Sequence, residues 1–294
     1  MQNNTTNAVS LPLDTRVRMA HALIAVVAEH AELDILHIKG YAAPSGFYHA
    51  HRVSTDADIL IRPSHAGTLV EILRKQGWTL VTSFRSGSIF RHAAALWHET
   101  WGYVDVHRSF PGIGIDEERS FDRLWQHRDS TTIAHKECNV PSSLDHAFLI
   151  VIHAARDAQR GQSDMNFLRA FLAQDWSSVE ARSFEFKSRT PFVIAASSPD
   201  EHHQIASNSE YKLWISLSQG SDRVALLKGR LEATGSTREK LRILLGSLVP
   251  NRDHLQMRLG RPATTKDFLL ELINRAKELV KVISQHLMRS GIHE

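Results

Sequence analysis

An α+β fold is expected from two observations. The first half combines helical stretches with short β-branched runs and glycine-marked turns, whereas from Ser142 onward the apolar residues recur mostly at helical spacing. This contrast predicts two units: residues 1–140 with a mixed or antiparallel sheet carrying helices on one face, and residues 141–294 as a mostly α-helical domain. With 294 residues, 42% of them hydrophobic, the chain is long enough to bury a core in each.

Asp14 to Glu32 reads as an amphipathic helix, with Val17, Ala20, Leu23, Val26 and Val27 on one face and Asp14 as its N-cap. The apolar run Leu33 to Ile38 follows as a strand, turning at Lys39-Gly40 into the helix-compatible stretch Tyr41 to His51. A second strand covers Asp56 to Ile61. Ser64 to Gln76 then reads as a helix closed by Gly77. Trp78 to Phe84, Ser88 to His92, Leu96 to Thr100 and Tyr103 to His107 read as strands. In the second half, helices are expected at Leu144 to Ala158, capped by Ser142 or Ser143, and near Asn166 to Ala173, Ser177 to Phe184, Arg238 to Leu248 and Thr265 to Leu287. The last carries an apolar face through Phe268, Leu269, Leu272, Ile273, Ala276, Leu279 and Ile283, a pattern expected for packing. The polar stretch Ser197 to Ser209, broken by Pro199, is expected to be a mobile loop.

Composition excludes several classes. No apolar stretch approaches the roughly 20 residues of a membrane helix, and Met1 to Ser10 is polar without a signal-like core, so the expectation is a cytoplasmic protein with no membrane association. The single Cys138 rules out an intrachain disulfide and a cysteine-built zinc knuckle. A net charge of +3 is modest, and the basic groups at Arg223 to Arg230, Lys240 to Arg242 and Arg252 to Arg261 read as solvated helix faces, so no dedicated DNA-binding motif is present. The 18 histidines show no His-Glu-x-x-His pattern, and His49, His51, His92, His98, His202 and His203 lack ligand spacing.

The informative segment is Ser54-Thr55-Asp56-Ala57-Asp58-Ile59-Leu60-Ile61. Side chains on a strand alternate, so Asp56 and Asp58 share one face while Ala57, Ile59 and Ile61 enter a core on the other. At an effective dielectric near 20, two unit charges about 4 Å apart still repel by roughly 4 kcal/mol. Such a pair either binds a cation or keeps one carboxyl protonated. On Tyr103-Val104-Asp105-Val106-His107, Asp105 and His107 again share a face, which supplies a third carboxylate. His107 is a candidate to contact substrate or orient a carboxylate.

The order Lys39-Gly40, Arg52-x-x-x-Asp56-x-Asp58 and Asp105-x-His107 resembles the DNA polymerase β superfamily of minimal nucleotidyltransferases, and more closely a largely uncharacterised bacterial family within it. Phe121 to Trp125, Val140 to His146 and Ile152 to Arg156 are similar to that family's link into a helical half, and the resemblance covers roughly residues 30 to 185. Gly40 is followed by Tyr41 where the superfamily has a small residue, and the interval to Asp56 is longer than in its compact members.

The resemblance implies a polymerase-β-like catalytic domain and a two-metal nucleotidyl transfer from a nucleoside triphosphate such as ATP to a hydroxyl-bearing acceptor, with pyrophosphate released. Asp56, Asp58 and Asp105 would be catalytic residues and ligands of Mg²⁺ or Mn²⁺. Lys39, Gly40, Arg52 and Ser54 would bind the nucleotide, Gly40 and the start of the following helix facing phosphate. Residues 1–140 would supply these ligands, and the helical half would choose the acceptor, whether peptide, protein, small molecule or RNA. Two other classes fit the same residues: a catalytically silent nucleotide-binding adaptor and a metal-dependent phosphohydrolase.

Overall fold

The computed structural model describes residues 11–84, 90–220, 223–250, 255, 259 and 263–290. Helix α1 (Leu13–His30) begins after Pro12, and Asp14 lies in its first turn, not at the cap. Val17, Ala20, Ile24, Val27 and Ala28 face the core, whereas Val26 is exposed. Strand β1 (Ile35–Ile38) follows. The helix expected over Tyr41 to His51 is absent: only a 3₁₀ turn, Gly40–Ala42, forms before the chain reaches β2 (Asp56–Ile61). Pro44 has no amide hydrogen to donate and Gly46 adopts φ +90°, so a helix cannot propagate there.

Helix α2 (Ala66–Lys75) ends as expected at Gly77, whose amide bonds the carbonyl of Arg74. Beyond it lie β3 (Thr79–Thr82), β4 (Ala93–His98) and β5 (Gly102–His107). The two strands expected at Ser88 to His92 and Leu96 to Thr100 are thus replaced by one, β4, because Ala93 to His98 pairs residue for residue with β5. Residues 88–89 of the former lie outside the described set.

The five strands form one mixed sheet in the order β1-β2-β5-β4-β3, with β2 and β5 parallel and every other neighbouring pair antiparallel. Strand β2 sits inside this sheet and is buried on both sides. On one side Ile35, Ala57, Ile59, Ile61, Val104 and Val106 pack against α1 and α2. On the other, Leu36, Ile38 and Leu60 join a core with α3 (Glu117–Gln126) and α4 (Ser143–Ala154), through Phe121, Phe148 and Ile152. This core crosses residue 140 without a break.

In the first half, one helix and one two-stranded hairpin are not marked by the sequence patterns. Helix α3 is capped by Asp116, whose side chain accepts from the amides of Glu118 and Arg119. Strands β6 (Asp129–Ile133) and β7 (Lys136–Val140) form a hairpin whose turn residues Ala134 and His135 both have positive φ. Cys138 is buried on this hairpin beside Ile133 and Val140.

The second half is helical as expected: after α4 come α5 (Gly161–Phe171), α6 (Trp176–Glu185), α7 (Arg189–Ala196), α8 (Tyr211–Ser218), α9 (Arg223–Ala233), α10 (Thr237–Leu248) and α11 (Thr265–Ser290). Ser197 to Ser209 is not a free loop. It contains a 3₁₀ turn, Pro199–Gln204, and is pinned by buried His202 and Ile205. The expected packing face of α11 is only partly covered, since Leu269 and Ile273 are exposed; the side chains of Leu279 and Ile283, and the basic group from Arg252 to Arg261 apart from Leu255 and Leu259, lie outside the described residues. No described helix is long and apolar enough to cross a membrane.

Candidate active site

Strand register builds the centre of the site. In the parallel β2–β5 pair, Asp56 stands opposite Tyr103, Asp58 opposite Asp105 and Leu60 opposite His107. Period-two alternation therefore puts Asp56, Asp58, Asp105 and His107 on one face, directed toward α4 and its neighbours. Asp58 is almost fully buried, and Asp56, at the start of the strand, is half-buried.

Asp58 holds two partners on a single oxygen. Lys39 Nζ lies 2.6 Å from Oδ1 and His107 Nε2 lies 2.7 Å from it. Burial alone would raise the Asp58 pKa, but Lys39 and the His107 hydrogen bond outweigh it and hold the carboxyl well below its usual range. Asp105 shows the opposite balance: burial first, then the charges of Asp58 and Asp56, push it up to about 7. Burial also lowers His107 to about 4, so near neutral pH its ring is uncharged and donates from Nε2 to Asp58. The site resolves carboxylate repulsion by pairing Asp58 with an ammonium and favouring a proton on Asp105.

The turn before β2 is tightly specified. Lys39 and Gly40 both adopt positive φ, at +55° and +47°. For lysine this is a strained conformation, held at both ends: its amide donates to Nε2 of His146 on α4 (2.8 Å), and its ammonium meets Asp58. A side chain at position 40 would place Cβ 2.4 Å from Ser54 Oγ, so Gly40 and Ser54 are matched to each other. Tyr48, nearly buried, hydrogen-bonds the backbone of Gly40. Arg52 lies over the Tyr48 ring at 4.3 Å and pairs with Asp164 of α5 at 3.0 Å, tying this loop to the helical half. Of the seven sequence-derived candidates, Lys39, Asp56, Asp58 and Asp105 share one electrostatic environment; Gly40 and Ser54 shape its rim, and Arg52 is engaged with Asp164.

Helix α4 and the residues just after it contribute side chains that the sequence motifs do not mark as site residues. His146 receives the Lys39 amide, and the charges of Asp58 act on both His153 and Arg156. They recur at positions 146, 153 and 156, a polar stripe at helical spacing in an otherwise apolar segment. That stripe was the available signal. His92 is a further neighbour: its ring centroid is 5.2 Å from that of His107, and burial lowers its pKa to about 2.

The donor set suits a hard divalent ion. Asp58, Asp105 and His107 each offer one atom, all within 4.8 Å of one another, and His107 Nδ1 is buried without a partner. Two carboxylates fit Mg²⁺ or Mn²⁺. Asp56 lies outside this closest group, but its charge acts on Asp105 and the charge of Asp58 acts on it. Lys39 and His107 both lie on Oδ1 of Asp58, so Oδ2 is the atom this carboxylate can offer a metal ion.

A model of the family described as uncharacterised nucleotidyltransferase matches residues 15–201, which include every side chain of this site. The chain belongs to that family. Among solved structures, this nucleotidyltransferase is similar to the lincosamide antibiotic adenylyltransferase LnuA in its lincomycin-bound form, at 16% identity and a TM-score of 0.36 over 52% of this chain and 94% of that one. It is also similar to an antigenic nucleotidyltransferase-like protein from Paracoccidioides brasiliensis, at 12% identity and a TM-score of 0.39 over 65% and 98% of the two chains. No curated protein matches it.

Proposed function

We propose that this chain is a divalent-metal-dependent nucleotidyltransferase that moves a nucleoside monophosphate from a nucleoside triphosphate to a hydroxyl-bearing acceptor. The observation that carries the reading is the Asp58–Asp105 register, with Asp56 and His107 on the same face and Lys39 on Asp58. Mg²⁺ or Mn²⁺ held by Asp58 and Asp105, with Asp56 and His107 beside them, would supply Lewis-acid stabilisation of charge on the transferring phosphoryl group.

The protein's own groups divide the remaining work. Asp58 anchors the cation, and Lys39, whose ammonium lies on Oδ1 of Asp58, would place positive charge beside the triphosphate. Asp105, beside Asp58 on the same face, would accept the acceptor's proton as general base. As that proton moves to Asp105, the acceptor oxygen bonds the α-phosphorus, the bond between that phosphorus and the oxygen bridging to the β-phosphate breaks, and pyrophosphate leaves. Gly40 gives the phosphates close approach to backbone, and Ser54 and Arg52 hold that loop in place. Residues 1–140 carry the nucleotide and metal groups, and the helical half from residue 141 presents the acceptor. The acceptor belongs to one of four classes: peptide, protein, small molecule or RNA.

The test is incubation of the protein and cell extract with each α-labelled nucleoside triphosphate and Mg²⁺ or Mn²⁺. The expected result is label on one acceptor with release of one pyrophosphate per label. Free labelled nucleoside monophosphate with no labelled acceptor would instead establish hydrolysis.

A further inference from the structure

We propose that Arg156, carried by the helical half, holds the polyphosphate of the bound nucleotide. The proposal rests on the nucleotidyltransferase reading of the site and adds a phosphate-binding group from outside the Asp-x-Asp and Lys-Gly segments. Arg156 lies just beyond the last turn of α4, where its amide donates to the carbonyl of His153. Its charge is felt by both Asp58 and Asp105, which places it at the carboxylate centre. The guanidinium stands 5.8 Å from the centroid of the Phe110 ring, and that ring stacks on His107. Arg156 therefore shares one aromatic wall with the imidazole that contacts Asp58.

The other cations near this region are committed. Lys39 has Asp58, Arg52 has Asp164 and Arg182 has Asp145. Arg156 differs: none of the ion pairs among the described residues includes it, and its Nε is buried without a hydrogen-bond partner; Arg108 shares both features but lies over Phe84, which packs with the core on the other side of the sheet. A guanidinium presents five donors in a fixed planar fork, suited to two oxygens of one phosphate. A buried one left without an acceptor is costly, and the nearby carboxylates cannot serve as that acceptor while they hold a metal ion. A cation at Asp58 and Asp105 cancels the field that now favours Arg156, and a bound anion restores the balance. A polyphosphate bridging the ion and the guanidinium meets both demands, and would couple nucleotide arrival to the position of α4.

The experiment compares wild type, Arg156→Gln and Arg156→Lys by equilibrium binding of Mn²⁺ alone, of inorganic tripolyphosphate with Mn²⁺, and of each ribonucleoside triphosphate with Mn²⁺. Tripolyphosphate removes any dependence on the base. Arg156→Gln is expected to bind Mn²⁺ alone as well as wild type or better, because a repelling charge is gone, and to lose at least about tenfold in tripolyphosphate affinity. Arg156→Lys keeps the charge but not the fork, and is expected to fall between the two. It also serves as the test if the glutamine variant does not fold. Wild-type affinity for tripolyphosphate in either folded variant would overturn the proposal, as would parallel loss of Mn²⁺ and tripolyphosphate binding, which marks a purely structural charge. If wild type itself binds neither tripolyphosphate nor any triphosphate with metal, the nucleotidyltransferase reading fails, and this proposal with it.

Discussion

The two faces of the central sheet treat buried polar groups in opposite ways. On the side covered by α1 and α2, His21 and His37 are fully buried and hydrogen-bond each other, Nδ1 to Nδ1, at 2.9 Å. On the side covered by α4, Asp58, Asp105, His107 and Arg156 crowd together with one carboxylate pushed up toward neutral pH, one guanidinium nitrogen unpartnered and one imidazole nitrogen unpartnered. The first is an uncharged polar pair inside a core, in which Nε2 of His37 is also buried without a hydrogen-bond partner. The second has electrostatic demands that the protein alone leaves open, which is the condition expected where a ligand completes the site. Both faces come from the same strands, so alternation of single residues separates stability from function.

This contrast is broken most severely by Asp58→Asn. The substitution removes the partner of both Lys39 and His107, so triphosphate binding with Mg²⁺ and label transfer should be lost together, as read by equilibrium dialysis and product assay. His107→Ala should cost less, on the order of tenfold in turnover, because Lys39 still pairs with Asp58. Equal losses for the two variants would mean that His107 and Asp58 act as one unit.

The α1 face should instead answer in stability. Burial lowers His21 to about 4 and depresses His37 as well, against an unfolded value near 6.5. Between these values the unfolded chain binds protons that the folded chain does not, so the stability is complete above about pH 6.5 and is lost as pH falls toward 4. One unit of separation is worth about 1.4 kcal/mol, giving on the order of 3 kcal/mol for His21. A His21→Leu/His37→Leu double variant should show a shallower fall of Tm between pH 7 and 4.5 than wild type. Parallel curves would show that other histidines govern the acid response.

A smaller effect is expected at the turn linking the faces. Gly40→Ala should cost about 1–3 kcal/mol from its positive φ and the contact with Ser54, measured by denaturant unfolding. Adding Ser54→Gly should recover the steric part but not the backbone part. Full recovery would remove the conformational argument.

The carboxylate side of this comparison was legible in the sequence because strands have period two. Asp56 and Asp58 within one strand, and Asp105 with His107 on another, needed only that rule to be placed on faces. What it could not supply was the parallel register that sets Asp58 against Asp105, a long-range pairing. The stripe of His146, His153 and Arg156 was legible only as part of a helical segment, Leu144 to Ala158, because most of its neighbours are apolar. The β6–β7 hairpin was missed because Asp129 to Thr132 lacks apolar alternation and its turn uses Ala134 and His135 in place of the usual glycine. Tyr41 to His51 was misread as helix although Pro44 and Gly46 stood within it.

On the proposed function, the α4-facing side performs metal-assisted transfer with Asp105 in the chemical step. The direct measurement pairs single-turnover label transfer with triphosphate affinity in wild type and Asp105→Asn, each with Mg²⁺ and with chelator. The account predicts that wild type binds triphosphate and labels its acceptor only with metal. It also predicts that Asp105→Asn retains metal-dependent triphosphate binding while its transfer rate drops by at least about two orders of magnitude. A folded Asp105→Asn protein that labels its acceptor at near wild-type rate, or wild-type transfer unaffected by chelator, would contradict it.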